Sequence, residues 1–358
     1  MKIFKYLLFL LLIVIIAGAV YFGTKDGHFD VAASKTMQAP VSLVFQQAND
    51  YKNWPEWGPW KESDPNMQVQ FNEQTTGEGA SYSWTSEEEG DGSMKTLAVA
   101  QNDSILQQIT FKTPLGDSQS EVYWKFDAKD PSTTEVTWGM RGEQSFMEKV
   151  FMAFQSDPFD TMLKTMFEKG LSNMDERVQE AMNAYTITLD GVKDYGGGYY
   201  LYTTAASKID QLGEKMGPML GKVYGFAQQN HITMAGAPFT LYNQWDEVNG
   251  TTIFSAALPV SEKIVITEGD VLCGYMPPLT AVKATLKGKY DHLQETYQKV
   301  QDYIHENNRI IDPANPPFEV YANDPGEVPN PAEWMTEVYM PVFKDLRSNH
   351  PIINENSN

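Results

Sequence analysis

Few side chains in this 358-residue sequence are obvious candidates for chemistry, and they are scattered. There is one cysteine, Cys273, and there are five histidines: His28, His231, His292, His305 and His350. A cysteine nucleophile needs a base or a cation beside it to stay ionised. No histidine is near Cys273 in the sequence, and the residue sits in the apolar run Val271-Leu272-Cys273-Gly274-Tyr275. There a free thiol behaves as a small hydrophobe. No HExxH, CxxC, GxSxG, P-loop or dinucleotide pattern occurs. Gly196-Gly197-Gly198, followed by Tyr199 and Tyr200, reads as a flexible turn rather than a phosphate cradle. The acidic runs Glu87-Glu88-Glu89 and Asp324 to Glu327 read as solvated loops, so neither a metal nor a cofactor is expected.

Charge narrows the partners further. With 27 Lys and Arg against 47 Asp and Glu, the net charge is −20, and no basic stripe or helix-turn-helix segment appears. Nucleic-acid binding depends on clustered cations that displace counterions from phosphates. A nucleic-acid partner is therefore not expected. One cysteine also rules out an intramolecular disulfide, which leaves the redox compartment open.

Residues 1–24 contain an unbroken apolar stretch from Tyr6 to Phe22, preceded by Lys2 and Lys5. At about 1.5 Å per residue this spans most of a bilayer core of about 30 Å. Positive charge on the leading side favours a single-pass anchor with a cytoplasmic N-terminus and the remainder outside the cytoplasm. The competing reading is a cleaved signal segment with Ala17-Gly18-Ala19 as its cleavage site.

Residues 30–183 alternate apolar and polar side chains as half-buried strands do. Val122, Trp124 and Phe126 share one face, as do Val136, Trp138 and Met140. Turn formers separate such stretches, at Gly77-Glu78-Gly79, Gly90-Asp91-Gly92, Asn102-Asp103-Ser104 and Asp130-Pro131-Ser132. The expectation is a meander of five or six antiparallel strands. A long helix then starts near Asp157-Pro158, with a stripe from Phe159 through Phe167, Leu171, Met174 and Val178 to Met182 that must bury itself on the sheet. From spacing alone, that stripe either packs solidly or lines a cavity.

Residues 185–345 contain an internal repeat. Ala237-Pro238-Phe239-Thr240-Leu241-Tyr242 with Phe254 to Val260 is echoed by Pro316-Pro317-Phe318-Glu319-Val320-Tyr321 with Thr336 to Val342. Each copy follows a helix-length segment, about 207–230 and 290–308; Pro218 and glycines in the first suggest a kink. Each unit reads as strand, helix, strand, strand, and two of them side by side form an antiparallel sheet backed by helices, with a groove between the halves. The fold class is α+β, with a polar tail over 346–358.

Two resemblances sharpen this. Met37-Gln38-Ala39-Pro40, Val41 to Phe45 and the run Asp50 to Trp60 with Trp54, Trp57 and Trp60 resemble the opening of the SRPBCC (polyketide-cyclase/START-like) superfamily. That likeness covers about 30–183 and implies a helix-grip fold: a curved sheet around a long C-terminal helix over a hydrophobic cavity. On the residues alone, the three tryptophans plug one end of the sheet. Gly288-Lys289-Tyr290, Pro317-Phe318-Glu319-Val320-Tyr321 with Asn323-Asp324-Pro325, and Thr336-Glu337-Val338-Tyr339-Met340-Pro341-Val342 resemble the GyrI-like, or AraC-type effector-binding, family. This likeness covers about 185–345. It implies a pocket walled by aromatic residues with an acid at its base, at the position of Glu337, while the first repeat has Ser255 at the equivalent place.

A carboxylate sunk among rings loses hydration, which a lipophilic cation can replace through its charge and its contacts with ring faces. Tyr290, Tyr321 and Trp334 are the accompanying candidates, although each also suits plain packing. The bland alternative for Glu337 is an outward, solvated strand residue, and Met335 and Val338 on either side leave its direction open. Family members are often fused to DNA-binding helices; here the fused segment is a helix-grip domain. The expected function is capture of a small hydrophobic or cationic molecule by a membrane-anchored protein. Two alternatives stay open: a hydrolase of small reactive compounds, for which no second catalytic group is visible, and an envelope interaction protein with filled pockets.

Overall fold

The computed structural model of the chain describes residues 2–113, 116–154 and 157–344, so the polar tail expected over 346–358 lies outside the described residues. The chain divides into two compact units, 1–181 and 182–358.

The first unit begins with an apolar helix, α1 (Lys2–Thr24), whose side chains from Ile3 to Ile16 are exposed. It is followed by β1 (His28–Met37), α2 (Val41–Asn49), and two one-turn helices, α3 (Trp54–Trp57) and α4 (Trp60–Ser63). Then come β2 (Gln68–Phe71), β3 (Ser81–Thr85), β4 (Gly92–Ala100), β5 (Ser104–Thr113), β6 (Gly116–Asp130) and β7 (Thr133–Glu143), and finally α5 (Phe146–Met152) and α6 (Phe159–Asn183). The seven strands form one antiparallel sheet in the order β1-β7-β6-β5-β4-β3-β2, longer than the five or six expected because β1 returns to pair along β7. The alternation in the sequence holds: Val122, Trp124, Phe126, Val136, Trp138 and Met140 are all buried.

Phe167, Leu171, Met174, Val178 and Met182 of α6 are buried as well, whereas Met162 in its first turns stays exposed. The interior that the helix-grip resemblance leaves for a cavity is occupied by tryptophan. Trp54 and Trp57 lie 5.2 Å apart, Trp57 meets Trp138 edge-on at 5.6 Å, and Trp138 stacks on Trp124 at 4.6 Å and tilts against Phe167 at 4.7 Å. Aromatic pairs in such geometries add about 0.5–1.5 kcal/mol each beyond area burial. The filling leaves the indole N–H groups of Trp57 and Trp138 buried without a hydrogen-bond partner among the described residues. A cavity of about 420 Å³ in this unit is lined by strand residues such as Asp30, Tyr123 and Arg141, and by none from α6.

The second unit comprises β8 (Thr186–Tyr195), β9 (Gly198–Lys208), α7 (Leu212–Gln229), β10 (Phe239–Asp246), β11 (Thr251–Val260), β12 (Leu272–Met276), β13 (Leu279–Lys287), α8 (Leu293–Glu306), β14 (Phe318–Tyr321) and β15 (Met335–Pro341). Its sheet runs β12-β9-β11-β10-β14-β15-β13-β8. The repeat is visible in that order: β9-α7-β10-β11 and β13-α8-β14-β15 are equivalent halves, joined where β10 pairs antiparallel with β14. Helices cover one face only. Val223 and Ala227 of α7 pack on Leu201 and Leu258, and Val300 and Ile304 of α8 pack on Val282, Ala284 and Val338. Pro218 lies inside α7, which runs on to Gln229.

Two glycines give opposite expectations. A Cβ at Gly170 of α6 would stand 2.5 Å from the Trp138 ring and 3.2 Å from Pro59, whereas one at Gly221 of α7 meets nothing within 4 Å. Overpacking costs about 1–3 kcal/mol against a helix-propensity gain of about 1 kcal/mol. Gly170→Ala should therefore lower the stability of the first unit by on the order of 1 kcal/mol, and Gly221→Ala should raise that of the second by about 0.5–1 kcal/mol. Denaturant unfolding followed for each unit's transition checks both signs.

Candidate functional site

The seam between the two halves of the second unit pairs Phe239 with Val320, Thr240 with Glu319 and Leu241 with Phe318. Residues directly opposite in an antiparallel ladder point to the same face. Glu319 also pairs with Val338, and Val338 packs under α8, so Glu319 faces the helices. Between α7 and α8 above this seam the sheet carries an open cavity of about 2040 Å³. Its walls include Met216 and Leu220 of α7 and Tyr297 of α8, with Tyr242, Tyr290 and Tyr321 around Glu319. Gly213 and Gly217 of α7 line it without side chains, which widens the space between the helices.

Glu319 is 1% exposed. One carboxylate oxygen accepts a hydrogen bond from the Tyr321 hydroxyl at 3.0 Å, and that hydroxyl lies 3.1 Å from Thr240 Oγ1. Burial holds the Glu319 carboxyl above the usual carboxylate range, against the opposing pull of the nearby hydroxyls of Tyr242, Tyr321 and Tyr297. Tyr297 approaches closely enough to contribute, yet its buried hydroxyl makes no hydrogen bond of good geometry among the described residues. The phenols respond in kind: burial, and then the Glu319 charge, raises Tyr321 and Tyr242 well above normal and pushes Tyr290 up to about 12. Among the described residues, no cation touches Glu319. Among the described lining residues the cavity carries seven carboxylates (four Asp and three Glu) and one cation, Lys208.

The structure separates the residues that the sequence grouped. Tyr290 and Tyr321 line the cavity, their rings 5.8 Å apart. Trp334 packs against Tyr290 at 5.1 Å and donates its indole N–H to the Val328 carbonyl at 2.9 Å, holding its loop rather than lining the cavity. Glu337 pairs with Val320, one residue along from Glu319, and therefore points to the opposite, helix-free face of the sheet. There it is one-quarter exposed and accepts from Lys283 Nζ at 2.7 Å and from the Tyr339 hydroxyl at 2.8 Å. Lys283 lies 4.0 Å from Asp190, whose carboxylate accepts from Thr285, and Tyr195 and Phe318 flank Tyr339.

Glu319 itself was within reach of the sequence. Aligning the two repeats sets P-F-T-L-Y beside P-F-E-V-Y, so a glutamate stands where the first copy has Thr240. The alternation Phe318-Glu319-Val320 by itself reads as an outward polar residue, so only the comparison of the two copies singles Glu319 out.

The geometry is that of a small-molecule-binding domain: a concave, aromatic cavity with few convergent polar groups. Comparison with known proteins agrees. Residues 215–342 match the family described as a GyrI-like small molecule binding domain, and residues 28–179 match that described as polyketide cyclase / dehydrase and lipid transport. Each match falls within one of the two compact units. No curated protein matches it.

Among solved structures, the crystal structure of the EcmrR C-terminal domain is 23% identical, covering 45% of this chain and 98% of that one at a TM-score of 0.39. The EcmrR–DNA complex is 17% identical over 61% of this chain and 88% of that one, also at 0.39. The solution structure of the Aha1 dimer from Colwellia psychrerythraea is 11% identical, over 42% and 96%, at 0.31.

A buried acid with a raised pKa makes stability depend on pH in a fixed direction. The unfolded chain releases the proton near pH 4–5, and the folded chain only above that. Between the two values the native state binds more protons than the unfolded one, so stability falls as pH rises through that window. Glu319→Gln should flatten this dependence and stabilise the second unit at neutral pH, which denaturant unfolding at a series of pH values would measure.

Proposed function

We propose that the second domain captures amphipathic cationic molecules in the cavity above Glu319. The observation that carries this is the charge count at the cavity: seven carboxylates against one lysine, with one of the acids desolvated and touched only by neutral hydroxyls. An unpaired buried carboxylate is costly, and a ligand that brings its own positive charge while covering Tyr290, Tyr321 and Met216 relieves the cost and buries apolar surface at once. The rim acids, among them Asp291, Asp324 and Glu327, add long-range attraction for cations that weakens with salt. Glu337 is a second acidic candidate on the other face, with Lys283 already beside it. A ligand there would have to be accommodated beside an existing ion pair, so Glu319 is the stronger choice.

The setting of this activity follows from α1, which is long and apolar enough to cross a membrane by length and composition. On our reading it anchors the chain with its N-terminus in the cytoplasm and both domains outside, and the first domain serves as a filled scaffold. Hydrolysis is the weaker reading, since the groups around Glu319 are phenols and Thr240, with no histidine or second carboxylate among the described residues at hydrogen-bond distance to activate water.

The test uses the purified chain with a lipophilic cationic dye and a neutral dye of similar size. Glu319→Gln should weaken the cation by roughly 5–30-fold, as expected for 1–2 kcal/mol, and leave the neutral dye unchanged. Wild-type affinity for the cation should rise with pH as the carboxyl ionises. Loss on Glu337→Gln with none on Glu319→Gln would move the site to the other face, and equal loss of both dyes would remove charge from the account.

A further inference from the structure

The exit of α1 in the first unit is built around a short apolar ledge. Gln144 N–H donates to the Gly27 carbonyl at 2.8 Å, tying the end of β7 to the residues that follow α1. Immediately after, Ser145 and Glu148 form a reciprocal cap that starts α5, and the Ser118 hydroxyl donates to Glu148 at 2.6 Å. Lys149, 8% exposed, donates its ammonium to the Lys25 carbonyl at 2.7 Å, one residue beyond the end of α1. A cation placed there meets the negative end of the helix dipole and fixes α5 beside the last turn of α1.

Among the described residues, nothing covers the other side of α5. Met147 and Phe151 are spaced four apart on one face of α5, Phe146 adjoins them, and Phe154 follows in the turn after the helix. Phe151 is 64% exposed and Phe154 85% exposed, and Phe146 and Met147 are also exposed. Exposed clusters of large apolar side chains mark an interaction surface. Its position selects the partner. Tyr21 and Phe22 lie in the last turn of α1, where aromatic residues sit at a membrane–water boundary, and the ledge is joined to Lys25 just beyond them.

We propose that α5 and Phe154 rest in the headgroup region of the bilayer that α1 spans, so that the first domain lies on the membrane surface instead of swinging from a flexible tether. This rests on the reading of α1 as an uncleaved anchor. The contact is apolar in kind: Lys149 is occupied by the Lys25 carbonyl, and a chain of net charge −20 gains little from an anionic lipid surface.

The full chain, with Cys273→Ser and a single cysteine placed by Phe151→Cys, Phe154→Cys or, as a distant control, Gln101→Cys, is labelled with an environment-sensitive fluorophore. It is then reconstituted in phosphatidylcholine vesicles carrying a nitroxide high on the acyl chain. Far-ultraviolet and near-ultraviolet circular dichroism, the latter dominated by the tryptophan cluster, verifies the fold of each variant. The expected result is blue-shifted emission and nitroxide quenching at 151 and 154, with neither at 101. Labels at 151 and 154 that behave like 101, on protein that still floats with vesicles after an alkaline wash, overturn the inference and leave the anchor standing. A blue shift without quenching overturns it too, in favour of a protein neighbour. Protein that fails to float removes the anchor reading itself, and the inference with it.

Discussion

The second domain is organised around one carboxylate that is almost wholly shielded from water at the floor of an open cavity. Glu319 stands on the strand pair that joins two duplicated halves, directly opposite Thr240. Had both copies kept an acid, two carboxylates would face each other across the ladder at about 5 Å, where like charges are destabilising and one pKa must rise steeply. The duplication therefore carries charge on one side and a hydroxyl on the other. Tyr321 bridges the difference, since its hydroxyl lies within hydrogen-bonding distance of both. Glycines along α7 and tyrosines on α8, β10 and β14 then leave open space above a charge that only neutral groups touch.

The helix-free face of the same sheet shows the opposite solution. Glu337 is paired with Lys283, Asp190 lies 4.0 Å from the same ammonium, and the rings of Tyr339, Tyr195 and Phe318 surround a group of three that holds its own counter-ion and keeps one net negative charge. A single residue of register separates the two situations. Side chains on a strand alternate between faces, so Glu319 and Glu337, which sit one step apart on neighbouring strands, meet different neighbours altogether. Where a charge has its counter-ion in the chain, the protein holds an ion pair; where it does not, the carboxylate is left to neutral hydroxyls beside an open cavity.

The first domain uses the space inside its sheet differently. Five tryptophans, Trp54, Trp57, Trp60, Trp124 and Trp138, stand in mutual ring contact where a grip fold can hold a ligand, and Gly170 lets α6 close onto Trp138. Each ring of the cluster packs against others, and the same domain ties the end of α1 through Gly27 and Lys25.

The sequence by itself determined what depends on neighbours along the chain. The strands of the first sheet, the apolar stripe of α6, the apolar first helix and the duplicated strand-helix-strand-strand plan all follow from period and composition. It offered Tyr290 and Tyr321 as companions of Glu337, whereas in the structure they line the cavity above Glu319. Tertiary structure alone decided which face each acid takes and what it meets there. Alternation around Glu337 is broken by Met335 and Val338, and the partner that neutralises it, Lys283, arrives from a strand more than fifty residues away. Whether the grip is hollow likewise depends on how rings from four separate segments fit together. Local pattern records only that they are apolar, whereas packing is a property of the assembled whole.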